Sequence, residues 1–249
     1  MSTENETILD ITEMPLEGIA AYWLSLKKIM GGKVAPKLAL DEAGRTEEPY
    51  IRYLLESCFT GLSDDQFLRV AGFKAETVVR GMQLRQGLIR EAVLSMSAGE
   101  NPRKALVRMA AHFPAQLMPE EKISRMALEM VKKARAGSGT EYTVTIDYTT
   151  AADQLLVKLM FYVFWARHEG AGSMRTFAET SRCLLFREAL SMVEDGFDRS
   201  FIKACVDTRC EGLVREARLK MNMAAELALA LRGKLSYDEM FVVAQAYMP

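Results

Sequence analysis

The sequence predicts an all-α protein of stacked helical hairpins in two subdomains, and three observations carry that prediction. Apolar residues recur at three- and four-residue spacing through most of the chain. Helix-stopping glycines alternate with helix-starting Ser, Asn, Asp and Pro along its length. Only Glu141 to Tyr148 gathers β-branched and aromatic residues, enough for at most a short strand or ribbon near 141–148. One such stretch cannot form a sheet alone, so it reads as an extended connection or as half of a ribbon paired with residues 33–40, where Val34 and Leu38 offer a weak partner.

Composition bounds what this fold can do. With 249 residues, 49% of them hydrophobic and 26% charged, the chain can bury one or two real cores. Its net charge of −1 leaves no basic excess to neutralise a phosphate backbone, which argues against nucleic acid as a partner. The longest apolar run, Leu159 to Ala166, falls far short of the roughly 20 residues of a membrane span. Residues 1–15 open acidic and polar, without the features of a secretory signal, and point to a flexible arm on a cytoplasmic protein with reduced thiols. The four cysteines, Cys58, Cys183, Cys205 and Cys210, lack a C-x-x-C pair, so no metal and no cofactor is expected.

Taken in order, a first helix is expected from Pro15 through Ile29, stopped at Gly31-Gly32, with Leu16, Ile19, Ala20, Trp23, Leu26 and Ile29 on one apolar face. Residues 33–48 read as irregular. Helical patterning then holds from Glu48 to Ala136, completing an N-terminal subdomain over 16–136. The tract Ala136-Gly137-Ser138-Gly139 opens a linker over 137–150 that contains the strand-like stretch. Helices resume at Asp153 in a C-terminal subdomain over 151–249, the last opened by the capping-box pair Ser236 and Glu239.

Three turns share one chemistry: Gly61-Leu62-Ser63, Gly99-Glu100-Asn101 and Gly196-Phe197-Asp198. In each, Gly can close the first helix in the left-handed conformation, while Ser63, Asn101 or Asp198 accepts hydrogen bonds from the next. Gln66 stands three residues after Ser63 as a capping partner, and Pro102 fits the first position of its helix. Upstream, Arg90-Glu91-Ala92-Val93 before Gly99 corresponds to Arg187-Glu188-Ala189-Leu190 before Gly196, an internal repeat.

Those flanks carry a family likeness. Residues 83–118, above all Gly87 to Arg103 with Gly99-Glu100-Asn101-Pro102-Arg103, resemble the cytoplasmic C-terminal tail of the flagellar stator subunit MotA, which reads E-G-I-L-S-I-x-x-G-E-N-P-R. Residues 154–220 resemble that family's large cytoplasmic loop. Ala166-Arg167-His168-Glu169-Gly170 stands at its A-R-x-E-G, and Leu190 to Asp198 at its L-x-L-V-x-D-G-x-D-P. The order of the two pieces is reversed and the family's four transmembrane helices are missing, so this chain forms no proton channel. The resemblance implies contact with a flagellar rotor protein through Arg167. Where the family carries its second contact residue, a Glu, this chain has Arg175, and Glu179 is the nearest carboxylate. Arg167, Glu169, Arg175 and Glu179 are therefore the candidate partner-binding residues.

An enzymatic reading finds little to hold. Arg167-His168-Glu169 could form an acid–base cluster but reads more simply as a charged helix end before Gly170. Cys205 and Cys210, five residues apart, point to different sides of a helix. Gly170-Ala171-Gly172-Ser173 follows a helix rather than a strand and lacks the Gly-Lys ending of a phosphate loop. Lys132-Lys133-Ala134-Arg135 is a helix end favoured by the macrodipole. Sixteen methionines, among them Met109, Met118, Met126, Met130, Met221, Met223, Met240 and Met248, read chiefly as core filling, and Phe241, Val242 and Tyr247 offer anchors at the chain end. The expectation is a non-enzymatic adaptor that binds protein partners, flagellar rotor or stator components on the strength of the resemblance. The alternatives are a small-molecule sensor or enzyme with a pocket near Trp165, His168 and Glu169, and a structural homo-oligomer.

Overall fold

A computed structural model describes residues 11–31, 36–115, 118–137, 144–148 and 150–248, without the side chains of Ala171, Arg175, Thr176 and Ala178. Its elements are α1 (Leu16–Met30), α2 (Pro36–Arg45), α3 (Pro49–Ser57), α4 (Asp64–Ser97), α5 (Pro102–Ala110), α6 (Glu120–Arg135), α7 (Ala152–Glu169), a 3₁₀ turn (Ala171–Ser173), α8 (Arg175–Thr180), α9 (Leu184–Glu194), α10 (Arg199–Arg232) and α11 (Tyr237–Gln245). The fold is all-α, with no strand among the described residues.

The chain packs as two compact units, one of residues 1–80 with 213–249, the other of residues 81–212. The division does not fall at the 137–150 linker expected from its glycines. It falls inside α4 and α10, each 34 residues long, or about 50 Å at the helical rise. The reason is packing: α6 and α7, which flank the linker, lie against each other in the second unit.

In the first unit α1 packs on α11 and α2 on α3. The buried stripe of α1 is Ile19, Ala20, Trp23, Leu24, Leu26, Lys27 and Met30. Ile29, expected on that face, is 71% exposed, because the stripe runs one position further round the helix to Met30. Residues 36–45, expected to be irregular, form α2, which shows only Ala39 and Ala43 to the core, too narrow a stripe to stand out in a polar segment. The Tyr22 hydroxyl donates to Glu42 Oε1 at 3.2 Å, tying α2 to α1. Glu48 begins α3 by accepting from the Ile51 N–H at 2.6 Å. Trp23, Tyr50, Ile51, Leu54, Phe67 and Leu227 fill the core, and the Cys58 thiol donates to the Ala228 carbonyl at 3.3 Å. Residues 1–10 of the expected arm lie outside the described residues, but Ile11 is buried.

The second unit is built around α7, whose Leu155, Leu156, Leu159, Met160, Phe161 and Tyr162 are all buried. A helix apolar on so many sides needs cover all round, and α5 and α6 both pack on it. From α6 it receives Ile123, Ala127 and Val131 at four-residue spacing. An aromatic cluster of Phe161, Tyr162, Trp165, Phe177 and Phe186 packs edge to face over α8 and α9.

The strand-like stretch is a strap in this unit. Residues 138–143 lie outside the described residues, Val144 and Ile146 are buried, and Leu38, the other half of the anticipated ribbon, is helical in α2. The strap's carbonyls are capped without a second strand. Val144 O accepts from the Tyr162 hydroxyl at 3.3 Å and Thr145 O from Lys158 Nζ at 2.5 Å. Ile146 O takes the N–H groups of Arg182 and Cys183 at 3.0 and 3.1 Å together with the Ser181 hydroxyl. Tyr148 O accepts from Arg85, and the Tyr148 hydroxyl accepts from the Leu184 N–H at 2.9 Å as α9 begins. The β-rich composition thus supplies two buried side chains, while side chains and a helix start replace the ladder.

Candidate functional site

The turn between α4 and α5 meets the end of α7 in the second unit. The α4–α5 turn is closed by Gly99, at φ +55°, and by Asn101, whose Oδ1 accepts from the Arg103 N–H at 2.9 Å with Pro102 opening α5. Arg167, on the last turn of α7, donates from Nη1 to the Gly99 carbonyl at 2.6 Å. Two residues on, Glu169 accepts from Arg135 at the end of α6. Arg167, His168 and Glu169 are all exposed, so these links lie on a charged rim. Glu179 is exposed on α8. Arg175 is the first residue of α8, and its side chain lies outside the described ones.

Behind the rim runs a polar network. Arg108 of α5 donates to Glu91 at 2.7 Å, to Glu100 at 2.5 Å and to the Ser95 hydroxyl at 2.7 Å. Arg90 pairs with Glu91 at 2.8 Å and with Asp207 of α10 at 2.5 Å, and Lys203 reaches the same carboxylate at 2.9 Å. The hydrogen bond from Arg108 holds the Glu100 carboxyl below its ordinary range. Burial works against ionisation of Asp207, yet hydrogen bonds from Arg90 and Lys203 outweigh it and pull its carboxyl down too. A carboxylate so held neither gives nor takes a proton near neutrality. What the arrangement does is fix the turn: Glu91 precedes it, Glu100 stands within it, and Arg108 ties both to the helix that follows.

The other two turns have the same build. Gly61 sits at φ +80°, and Ser63 and Gln66 cap one another reciprocally at 2.9 and 3.3 Å. Gly196 sits at φ +76°, and Asp198 Oδ1 accepts from the N–H groups of Ser200 and Phe201 at 2.9 and 3.1 Å.

The remaining chemical candidates find structural work. Trp165 donates from Nε1 to the Ser173 hydroxyl at 2.9 Å and packs on Phe161 and Phe177, so its ring belongs to the aromatic cluster. Gly170, at φ +85°, ends α7, and the tract after it is the 3₁₀ turn. No disulfide joins the four cysteines; burial pushes the Cys58 thiol up to about 12 and the Cys210 thiol up to about 11. Met109, Met221, Met223 and Met240 are fully buried, whereas Met126 is exposed. No group of three or more His, Cys, Asp or Glu among the described residues could hold a metal ion, and no described helix is long and apolar enough to cross a membrane.

Two features escaped the sequence reading. The network depends on Arg108 and Asp207, isolated charges on helices with nothing in their spacing to join them. The repeat also has a closer match: Gly87-Leu88-Ile89-Arg90-Glu91-Ala92-Val93-Leu94-Ser95-Met96 in α4 aligns with Gly212-Leu213-Val214-Arg215-Glu216-Ala217-Arg218-Leu219-Lys220-Met221 in α10, identical except at the third, seventh and ninth positions. The ninth position is buried polar in both, Ser95 and Lys220 each at 1% exposure. Ser95 donates to the Glu91 carbonyl at 2.7 Å, while Lys220 pairs with Glu216 at 2.6 Å and donates to the Thr12 carbonyl at 3.1 Å. Gly87 accommodates His112, whose ring lies 2.5 Å from where a Cβ would stand.

Compared with known proteins, the chain matches no family model, no curated protein and no solved structure.

Proposed function

We propose that this protein is a non-enzymatic cytoplasmic adaptor that docks protein partners through the charged rim of its second unit. The observation that carries the proposal is the hydrogen bond from Arg167 to the Gly99 carbonyl. It joins the tail-like and loop-like segments, distant in sequence, into one surface, with the exposed Glu169–Arg135 pair beside it. Exposed charges on a rigid support set partner choice through complementarity more than through raw affinity. The resemblance to MotA makes a component of the flagellar motor, or of another motility assembly, the partner this reading favours.

Affinity capture from the native cytoplasm, comparing the parent chain with Arg167→Glu and Arg135→Glu, tests it. Exposed polar links of this kind contribute about 0–1 kcal/mol to stability, so both variants should melt close to the parent. Retention of the partner should fall at least tenfold. Undiminished capture by both variants, or a retained set with no motility component, would count against the reading.

A further inference from the structure

An open apolar groove of about 860 Å³ runs between α9 and the first part of α10, over Leu185, Ala189, Met192 and Cys205. At its turn end Phe197 and Phe201 stack with ring centroids 5.1 Å apart and remain 47% and 46% exposed. A projecting aromatic pair and an apolar groove on one face form a surface with both knob and hole, the requirement for a self-complementary twofold contact.

The charges on this face fit a second copy laid antiparallel. Asp195 and Asp198 mark the turn end, and Arg209 marks the other, its nearest carboxylate, Glu188, at a loose 3.5 Å. Asp198 takes its cap bonds on Oδ1 and is fully exposed, so it can accept a cation as well. The neighbouring cations are engaged elsewhere, Arg199 beside Glu100 and Lys203 on Asp207. We propose that two copies associate hairpin on hairpin through α9 and α10, with Arg209 of each against Asp198 of the other and Phe201 of each in the other's groove. Pairing 198 with 209 puts the twofold axis midway between Lys203 and Ala204, with Cys205 about 2 Å further along the helix.

The footprint sets the strength. About 21 Å of α10 beside α9 covers roughly 400 Å² per copy, about half of a standard interface. The association should therefore be weak, with a dissociation constant of roughly 10–100 μM.

Sedimentation equilibrium of the full chain up to about 300 μM tests this. The expected result is a monomer–dimer equilibrium in which Phe201→Glu and Arg209→Glu each raise the dissociation constant at least tenfold. Both positions are exposed, and unchanged melting of the variants excludes misfolding as the cause. At the same concentration a short bis-maleimide should cross-link the parent through Cys205, with Cys205→Ser abolishing the product. A monomer throughout, or a dimer indifferent to both substitutions, overturns the proposal. The partner-docking rim lies on other residues, so capture by that rim and self-association can fail independently.

Discussion

Replacing Arg108 by Met is expected to destabilise the second unit by about 2 kcal/mol, a figure that follows from what each of its partners loses. Four charge-assisted hydrogen bonds disappear, one to Glu91, two to Glu100 and one to Ser95. Such bonds contribute about 1.5–3 kcal/mol each when well buried, but these do not add. The Arg108 side chain is 33% exposed and water can replace part of its work. Glu91, at 13% exposure, keeps Arg90, and Ser95 keeps the Glu91 carbonyl. What remains is a nearly buried carboxylate stripped of one of two cations and a turn untied from α5. For contrast, Arg135→Met removes a pair whose side chains are 48% and 36% exposed, worth about 0–1 kcal/mol.

Urea unfolding followed by tryptophan emission reads this cleanly, because the only two tryptophans fall one in each unit. In a Trp23→Phe background, Trp165 reports the second unit alone. Arg108→Met should lower the Trp165 midpoint well beyond Arg135→Met, and a double-mutant cycle with Glu100→Gln should return a coupling of about 1–2 kcal/mol. An Arg108→Met stability within about 0.5 kcal/mol of the parent, the usual range for an unremarkable surface change, refutes the claim that the network holds the turn.

Further expectations concern both units. In the first, Lys220→Met should be neutral or stabilising, since the Glu216 it leaves is 50% exposed and already hydrated; Glu216→Gln should cost about 1–3 kcal/mol by leaving a buried ammonium on the Thr12 carbonyl, read by Trp23 emission in a Trp165→Phe background. Glu100 and Asp207 have carboxyls held below their unfolded values, so their stabilisation is present at neutral pH and is lost as pH falls through the folded-state values, below the ordinary carboxylate range; Trp165 midpoints measured from neutral pH into acid should hold level and then drop, and the drop should shrink in Arg108→Met. At pH 8 a maleimide should modify Cys205 before Cys58, Cys183 or Cys210, because two of those are buried and burial keeps the Cys210 thiol protonated; peptide mapping of early time points checks the order.

How much of this was legible in the sequence depended on whether the signal was local. The three Gly-x-polar turns, the Ser63–Gln66 pair and the Ser236–Glu239 box act within three or four residues, and each takes the geometry its residues demand. The segment of α2 gave no such signal because only two alanines of it reach the core. Residues 144–148 misled because composition reports that a side chain will be buried, not what will satisfy its backbone; that came from Tyr162, Lys158, Ser181 and Arg85, far away in sequence. The same distance hid the network. Arg108 lies 17 residues from Glu91, and Arg90 lies 117 from Asp207, so nothing in the spacing announced that they meet. The charged helix end at Arg167 was readable from Gly170 behind it, whereas the hydrogen bond from Arg167 to the Gly99 carbonyl, across 68 residues, was not.

The most direct test of the central claim is hydrogen exchange of the chain with and without its captured partner. New protection is expected to concentrate on residues 99–103, 135 and 167–170, the rim around Arg167, and to vanish in Arg167→Glu. Protection elsewhere, or protection on the rim that persists in that variant, would contradict it.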